Sequence, residues 1–290
     1  MFKTHLFTQR CAFLLFFLLT TAPVAKAQPV GSSLSTDLRN GEVKRSFHSQ
    51  LLGEEQPYVL QLPEGFADMT SCRLLVLLDG DEYYGFARDI VHLYASAEKI
   101  HATAVLALPS SMQSRWKYYT PTHVDPPAGA DAEDSALYGA SGGFGVYARF
   151  IETELIPAIE REWNVSFGEK TLFGHSLGGL AAIHFLLDRP AVFRNYIVAS
   201  PSVLWDKYAV LRTLEAEKDP QYTFGALYLT LAEDDMSGYE DRYFARFLKK
   251  GMPDDAQLTM LVNKGETHMT TGLRTLYNGI LLLHGRQAEE

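Results

Sequence analysis

Cysteine is scarce in this chain, and the scarcity excludes one common way of stabilising an exported protein. Only Cys11 and Cys72 occur among 290 residues, and Cys11 lies in an N-terminal apolar stretch. A mature chain left with Cys72 alone has no intramolecular disulfide. Its stability must come from an apolar core, which a chain of this length with 47% hydrophobic residues can build. An excess of positive charge is missing too. Against 26 Lys and Arg stand 35 Asp and Glu, a formal net charge of −9, so nucleic acid and anionic membrane are poor partners. The sequence has no HExxH, no paired CxxC and no spaced His/Asp set, so neither a metal nor a cofactor is expected. The stretch GASGGFG lacks the lysine and spacing of a phosphate loop. Internal repeats and low-complexity tracts are absent, and after the N-terminus no apolar run is long enough to span a bilayer.

The N-terminus has the composition of a secretory signal peptide. Lys3 and Arg10 precede or border the apolar run CAFLLFFLLTTAPV, and Ala25-Lys26-Ala27 forms an A-x-A ending before Gln28. Cleavage is expected after Ala27, giving a periplasmic or secreted protein with no stable membrane insertion and a formal charge of −12. Residues 28–42 read as a polar, loosely ordered lead-in, and 43–290 as one domain.

Within that domain short apolar runs alternate with amphipathic stretches, which predicts an α/β fold. Strands are expected at 43–49, 58–62, 74–78, 103–108, 171–173, 196–199, 226–231 and 258–262. Helices are expected at 86–99, 144–162, 179–188, 239–249 and 270–284. The connection LGEEQP between the first two strands is hairpin-like, whereas helices separate the later ones. The result is a mixed, mostly parallel sheet of about eight strands with helices on both faces. Residues 109–143, rich in Pro, Gly and Ser, interrupt this rhythm as a long loop at the carboxyl end of the sheet, where such folds bind ligands.

The segment KTLFGHSLGGLAAIHFLLDRP runs from a strand into a helix through Gly174-His175-Ser176-Leu177-Gly178. A serine between glycines at such a junction is the pattern of a nucleophile elbow, a sharp turn that lifts the hydroxyl clear of the sheet. A serine hydroxyl needs a base, and the base a third group to orient it, in the chain order Ser, acid, His. His268 and His284 are the histidines beyond the seventh predicted strand. His284 ends an apolar helix and reads as structural, whereas His268 sits in the loop VNKGETHMTTG, where a base can reach the sheet edge. The acid is expected just past LYLTL, among Glu233, Asp234 and Asp235. Asp235 is favoured because it has the most room to turn back. Donors for an oxyanion would be the backbone N–H of Leu177 and that of Gly80 or Asp81 in the loop LLVLLDGDEYYG. His175 and His184 flank the elbow and read as packed, satisfied side chains. Arg115, Trp116, Tyr118 and Tyr119 form either a substrate wall or a packed loop cluster.

Taken in order, LLVLLDGDEYYG, SRWKYYTPTH, GGFGVYARFIETELIPAIEREW, GHSLGG, VASPSVLWD and GETHMTTGLRTLYNGILLL resemble an esterase family of α/β-hydrolases. That family includes enterochelin esterases, ferri-bacillibactin esterases and the esterase D group. The resemblance covers residues 43–285 and implies an α/β-hydrolase fold, Ser176 as nucleophile, His268 as base, and a small-molecule ester as substrate. Arg115 and Trp205 are the candidate substrate-binding residues. A siderophore ester is the favoured substrate; acetyl or feruloyl esters of carbohydrates, acyl transfer to an alcohol, and a non-catalytic periplasmic binding protein are the alternatives. Many relatives have glycine at the place of Ala232 and a single clear acid, so LAEDDM departs from the pattern.

Overall fold

A computed structural model describes residues 36–37, 41–217, 221–235 and 238–286. The expected signal peptide at 1–27 lies outside them, as does most of the 28–42 lead-in. Within that stretch Thr36–Asp37 (β1) pairs antiparallel with Glu42–Ser49 (β2). The LGEEQP connection is tighter than its length suggests, because β3 (Glu54–Gln61) begins within it and pairs Glu54 with Ser49. Gly53, with φ +69°, supplies the left-handed residue of the turn.

From there the chain alternates between sheet and helix. In order it forms β4 (Ser71–Leu78), α1 (Gly80–Ser96), β5 (Thr103–Leu108), α2 (Met112–Tyr118) and α3 (Ala132–Ala140). A continuous helical run follows, built of α4 (Phe144–Phe150), a π-helical turn (Ile151–Leu155) and α5 (Ile156–Trp163). The rest is β6 (Ser166–His175), α6 (Leu177–Asp188), β7 (Asn195–Ala199), α7 (Trp205–Ala216), β8 (Ala226–Ala232), α8 (Gly238–Gly251), β9 (Gln257–Asn263) and α9 (Thr271–His284). Among the described residues nine strands lie in the order β1-β2-β3-β5-β4-β6-β7-β8-β9, antiparallel through β3 against β5 and parallel from β5 to β9. The expected strands are all present, with β1 as a short addition at the edge.

Strand β4 shows why the sheet reads as an unbroken apolar run. Leu74, Val76 and Leu78 enter a core with the α4–α5 run, α6, α7 and α8, while Leu75 and Leu77 enter a second core with α1 and α9. Successive side chains leave opposite faces, so a strand covered on both sides is apolar at every position. Among the described residues no helix is long and apolar enough to cross a membrane.

Three expectations need correction. Residues 109–143 are not one loop, because α2 and α3 lie inside them. Ser111 caps α2 by accepting the N–H of Ser114, and Asp131 caps α3 by accepting that of Asp134. The α1 helix begins at Gly80, six positions before the apolar period becomes regular. Asp79 turns the chain in a left-handed conformation (φ 53°) directly at the strand end, so no free loop follows β4. Helix α7 has no predicted counterpart. Its first turn contains left-handed Asp206, Lys207 and Tyr208, which breaks the helical period in the sequence.

Candidate active site

Strand β6 passes into α6 through Ser176 alone, whose φ of 57° and ψ of −117° lie outside the ordinary regions for a side-chain-bearing residue. Such strain costs about 1–3 kcal/mol and persists only where the surroundings fix it. Here they do: the Ser176 N–H donates to Ala199 O at 3.0 Å, and Ser176 O accepts from Ser202 N at 3.0 Å and from Leu180 N at 3.0 Å. The sharpness of the turn explains its glycines. A Cβ on Gly174 would lie 2.1 Å from the Gly178 carbonyl oxygen, so the turn cannot close around any larger residue.

Parallel register brings the other site residues to the same rim. His175 pairs with Ala199, Ala199 with Thr230, and Ala232 with Asn263. The segments after β7, β8 and β9 therefore emerge side by side next to Ser176. After β8 the chain turns back on itself, with Asp235 N donating to Ala232 O at 3.4 Å and Ala232 N donating to Asp235 Oδ2 at 2.7 Å. This folds the Asp235 carboxylate inward, to 3% side-chain exposure, against the loop that carries His268.

The three side chains meet in a line. His268 Nε2 lies 3.0 Å from Ser176 Oγ, and His268 Nδ1 lies 2.8 Å from Asp235 Oδ1. Asp235 Oδ2 also accepts from Ser200 Oγ at 2.5 Å. Burial alone would raise the Asp235 pKa, but the hydrogen bonds from His268, Ser200 and Ala232 outweigh it and hold the carboxyl below its usual range. Asp235 thus stays ionised and accepts the Nδ1–H, which leaves the Nε2 lone pair facing the serine hydroxyl.

Glu233 and Asp234 also bond to the His268 loop. Glu233 Oε2 accepts the N–H of Gly265 and Asp234 Oδ1 accepts that of His268, each at 2.8 Å. His175 is packed and its ring nitrogens are satisfied, as expected, and one of its partners is the His268 main chain. It is buried, its Nε2 lies 2.7 Å from the His268 carbonyl oxygen, and its Nδ1 lies 3.0 Å from Tyr83 Oη. His184 bonds to Asp188 at 2.9 Å, and His284 is buried at the far end of α9 with Nδ1 3.1 Å from Thr103 Oγ1.

Leu177 is the first residue of α6, and Asp81 lies in the first turn of α1, so neither N–H has an acceptor within its own helix. The two helix starts are neighbours. A Cβ on Gly178 would lie 3.2 Å from Asp79 Oδ2 and 3.5 Å from Leu78 Cβ. The Asp81 side chain fastens this corner by accepting the Ser110 N–H at 3.0 Å. Buried Asp79 accepts from Ser110 Oγ at 2.5 Å and from Arg115 Nε at 2.9 Å. Burial nonetheless raises its pKa, against the pull of Arg115 and Ser110. The Arg115 side chain keeps 21% exposure, and its Nη groups have no hydrogen-bonded partner among the described residues.

The aromatic residues separate into two groups. Tyr118 and Tyr119 are buried and pack on Tyr147, so they belong to the core and not to a substrate wall. Trp116, Tyr138 and Trp205 form a cluster between α2, α3 and α7, with ring centroids 4.8–6.4 Å apart. The Trp205 indole N–H is engaged by Thr122 O and Oγ1 at 3.2 and 3.1 Å. Sequence reasoning missed Ser200 and Ser202, although both lie in the quoted VASPSVLWD. Ser202 Oγ is 3.3 Å from Ser176 Oγ, and only the β6–β7 register puts it there.

The family model described as "Putative esterase" matches residues 49–236, well over half of the chain. The chain belongs to this esterase family. A 41% identical relative is the ferri-bacillibactin esterase BesA of Bacillus subtilis (strain 168), over 86 residues covering 30% of this chain and 29% of BesA. The chain thus matches less than a third of that relative's length. The crystal structure of an IroE-like serine hydrolase from Shewanella oneidensis superposes with a TM-score of 0.70 at 26% identity, covering 84% of this chain and 80% of that one. The BES protein from Bacillus cereus has the same fold, with a TM-score of 0.72 at 24% identity and coverage of 91% and 100%. The esterase family, the sheet order and these neighbours together give the α/β-hydrolase fold.

Proposed function

We propose that this esterase-family protein is an exported serine hydrolase that cleaves a carboxylic ester through an acyl-enzyme on Ser176. One observation carries the reading: the unbroken line Ser176 Oγ, His268, Asp235 at 3.0 and 2.8 Å, set on a strained elbow. Ser176 Oγ attacks the ester carbonyl while His268 Nε2 takes its proton, and Asp235 stabilises the imidazolium that forms. The carbonyl oxygen becomes an oxyanion between the N–H groups of Leu177 and Asp81, donors worth on the order of 3 kcal/mol each in such sites. His268 then protonates the departing alcohol. In the second half it deprotonates water, which attacks the acyl carbonyl, and the collapsing intermediate releases the acid and restores Ser176.

The substrate we favour is a siderophore ester. Support comes from the names of relatives such as the ferri-bacillibactin esterase, and from Arg115. Asp79 grips its Nε, so the free Nη edge is a preoriented donor pair for phenolate or carboxylate oxygens. Export is supported by the composition of residues 1–27 alone.

The test compares wild type with Ser176→Ala on a ferric tris-catecholate lactone, p-nitrophenyl esters and feruloylated sugars, with intact-mass detection of the acyl-enzyme. Wild type should cleave the lactone best and accumulate an adduct on Ser176. Adduct-free turnover by Ser176→Ala at more than about a tenth of the wild-type rate removes Ser176 from the mechanism. Preference for feruloylated sugars replaces the substrate assignment and keeps the mechanism. Sequencing the N-terminus of exported protein should begin at Gln28; an intact Met1 refutes the export proposal.

A further inference from the structure

We propose that His175 and Asp234 are positioning residues that clamp the main chain of His268 and so aim its imidazole at Ser176. The proposal rests on the serine-esterase reading above. Each polar atom of His268 is bonded to a different side chain. The ring nitrogens meet Ser176 and Asp235, the N–H donates to Asp234 Oδ1 at 2.8 Å, and the carbonyl oxygen lies 2.7 Å from His175 Nε2.

These bonds matter because packing does little to hold this residue. The His268 side chain is 41% exposed, and it sits in the connection between β9 and α9. The ends of that connection are fixed. Buried Asn263 Nδ2 donates to Thr271 Oγ1 at 2.9 Å and to Thr275 Oγ1 at 3.1 Å. Between those ends, Asp234 and His175 grip the catalytic residue from opposite sides of its own peptide units.

The direction of the His175 bonds follows from chemistry. The His268 carbonyl can only accept, so His175 carries its proton on Nε2, and its Nδ1 accepts from Tyr83 Oη–H at 3.0 Å. Tyr83 in α1 is thereby linked through the strand end to the His268 loop. Helix α9 closes over the same point, since a Cβ on Gly272 would lie 2.3 Å from Tyr83 Oη. Burial and the nearby His268 push His175 down to about 4. It stays neutral at working pH and does not repel the imidazolium formed 5.0 Å away during catalysis.

The residue pattern explains why consecutive carboxylates are useful here. Asp235 orients the ring while Asp234 orients the backbone that bears it. An amide scan would miss this, because asparagine at 234 still offers an oxygen to the His268 N–H.

The experiment compares His175→Phe, Asp234→Ala and Asp234→Asn with wild type and Ser176→Ala. The readouts are kcat, KM and the low-field proton resonance of the His268–Asp235 bond. His175→Phe and Asp234→Ala should lower kcat about 10- to 100-fold with KM within about twofold, as expected for misplacing a catalytic group by about an ångström. The low-field resonance should broaden or vanish in both. Asp234→Asn should recover to within about threefold of wild type, because the accepting oxygen is restored. Wild-type kcat in Asp234→Ala, or an equal loss in Asp234→Ala and Asp234→Asn, overturns the proposal. So does a kcat loss with an unchanged low-field resonance. Should His175→Phe fail to fold, the Asp234 pair decides alone, since that side chain is not buried. Activity retained by Ser176→Ala instead points to failure of the esterase reading itself.

Discussion

Replacing Asp235 by asparagine tests the relay at its most informative point, because the surroundings dictate how the amide must sit. Two donors, Ser200 Oγ–H and the Ala232 N–H, converge on Oδ2, while His268 Nδ1 alone faces Oδ1. An asparagine has one oxygen. Placing it at the Oδ2 position satisfies both donors, and the NH₂ then faces His268 Nδ1. The opposite orientation sets the NH₂ against the Ala232 N–H, a donor that cannot reverse and that then keeps only Ser200 Oγ, at 3.0 Å, as acceptor; losing the shorter bond there costs about 1–3 kcal/mol. The first orientation wins. It forces the proton of neutral His268 onto Nε2, where it faces Ser176 Oγ and cannot accept its proton. Turnover should fall on the order of 10²–10⁴-fold, or about 2.7–5.4 kcal/mol of transition-state stabilisation. Asp235→Ala leaves the tautomer free and should lose no more than Asp235→Asn. The assay is kcat/KM on a p-nitrophenyl ester, with the rate of fluorophosphonate labelling as a direct measure of Ser176 activation. Asp235→Asn within threefold of wild type would falsify the relay and leave a Ser/His pair. An alanine variant much worse than the asparagine variant would refute the tautomer argument while keeping the acid.

Other outcomes follow from the same contacts. His268→Ala should match Ser176→Ala in loss of turnover, whereas His284→Asn, at the far end of α9, should keep kcat per folded molecule near wild type. Gly174→Ala should abolish labelling of Ser176 and lower Tm sharply, since its Cβ would meet the Gly178 carbonyl oxygen at 2.1 Å; a folded, active alanine variant contradicts the elbow geometry. Stability should fall as pH drops from about 6.5 toward 4. Burial, with nearby His268 for one and Arg73 for the other, holds His175 at about 4 and His284 at about 3. The unfolded chain therefore binds more protons in that window. Each histidine removes about 1.4 kcal/mol per pH unit at the steepest. Asp79, raised by burial, works in the opposite sense. Urea denaturation at pH 7 and pH 5 measures the net slope, which should be shallower in His284→Asn; an unchanged slope in that variant refutes its assignment.

What the sequence determined by itself is local or ordered along the chain. The alternation of apolar runs and amphipathic stretches specifies strands and helices, because burial on both faces leaves a signal within a few residues. Glycines around Ser176 encode a backbone turn, chain order leaves His268 and His284 as candidates, and the end of an apolar helix against a loop separates the two. Tertiary structure decided whatever depends on neighbours distant in sequence. Which carboxylate faces His268 Nδ1 was set by the turn that folds Asp235 back onto Ala232, a matter of side-chain direction and not of composition. The same register placed Ser202 beside Ser176, His175 under the His268 carbonyl and Asp234 on its N–H. Helices α2 and α3 were hidden because short capped helices in a Pro- and Gly-rich segment carry little periodicity. Tyr118 and Tyr119 look the same in sequence as Trp116, yet they lie in the core. Burial is a property of the packed sheet and its helices, and no residue type announces it alone.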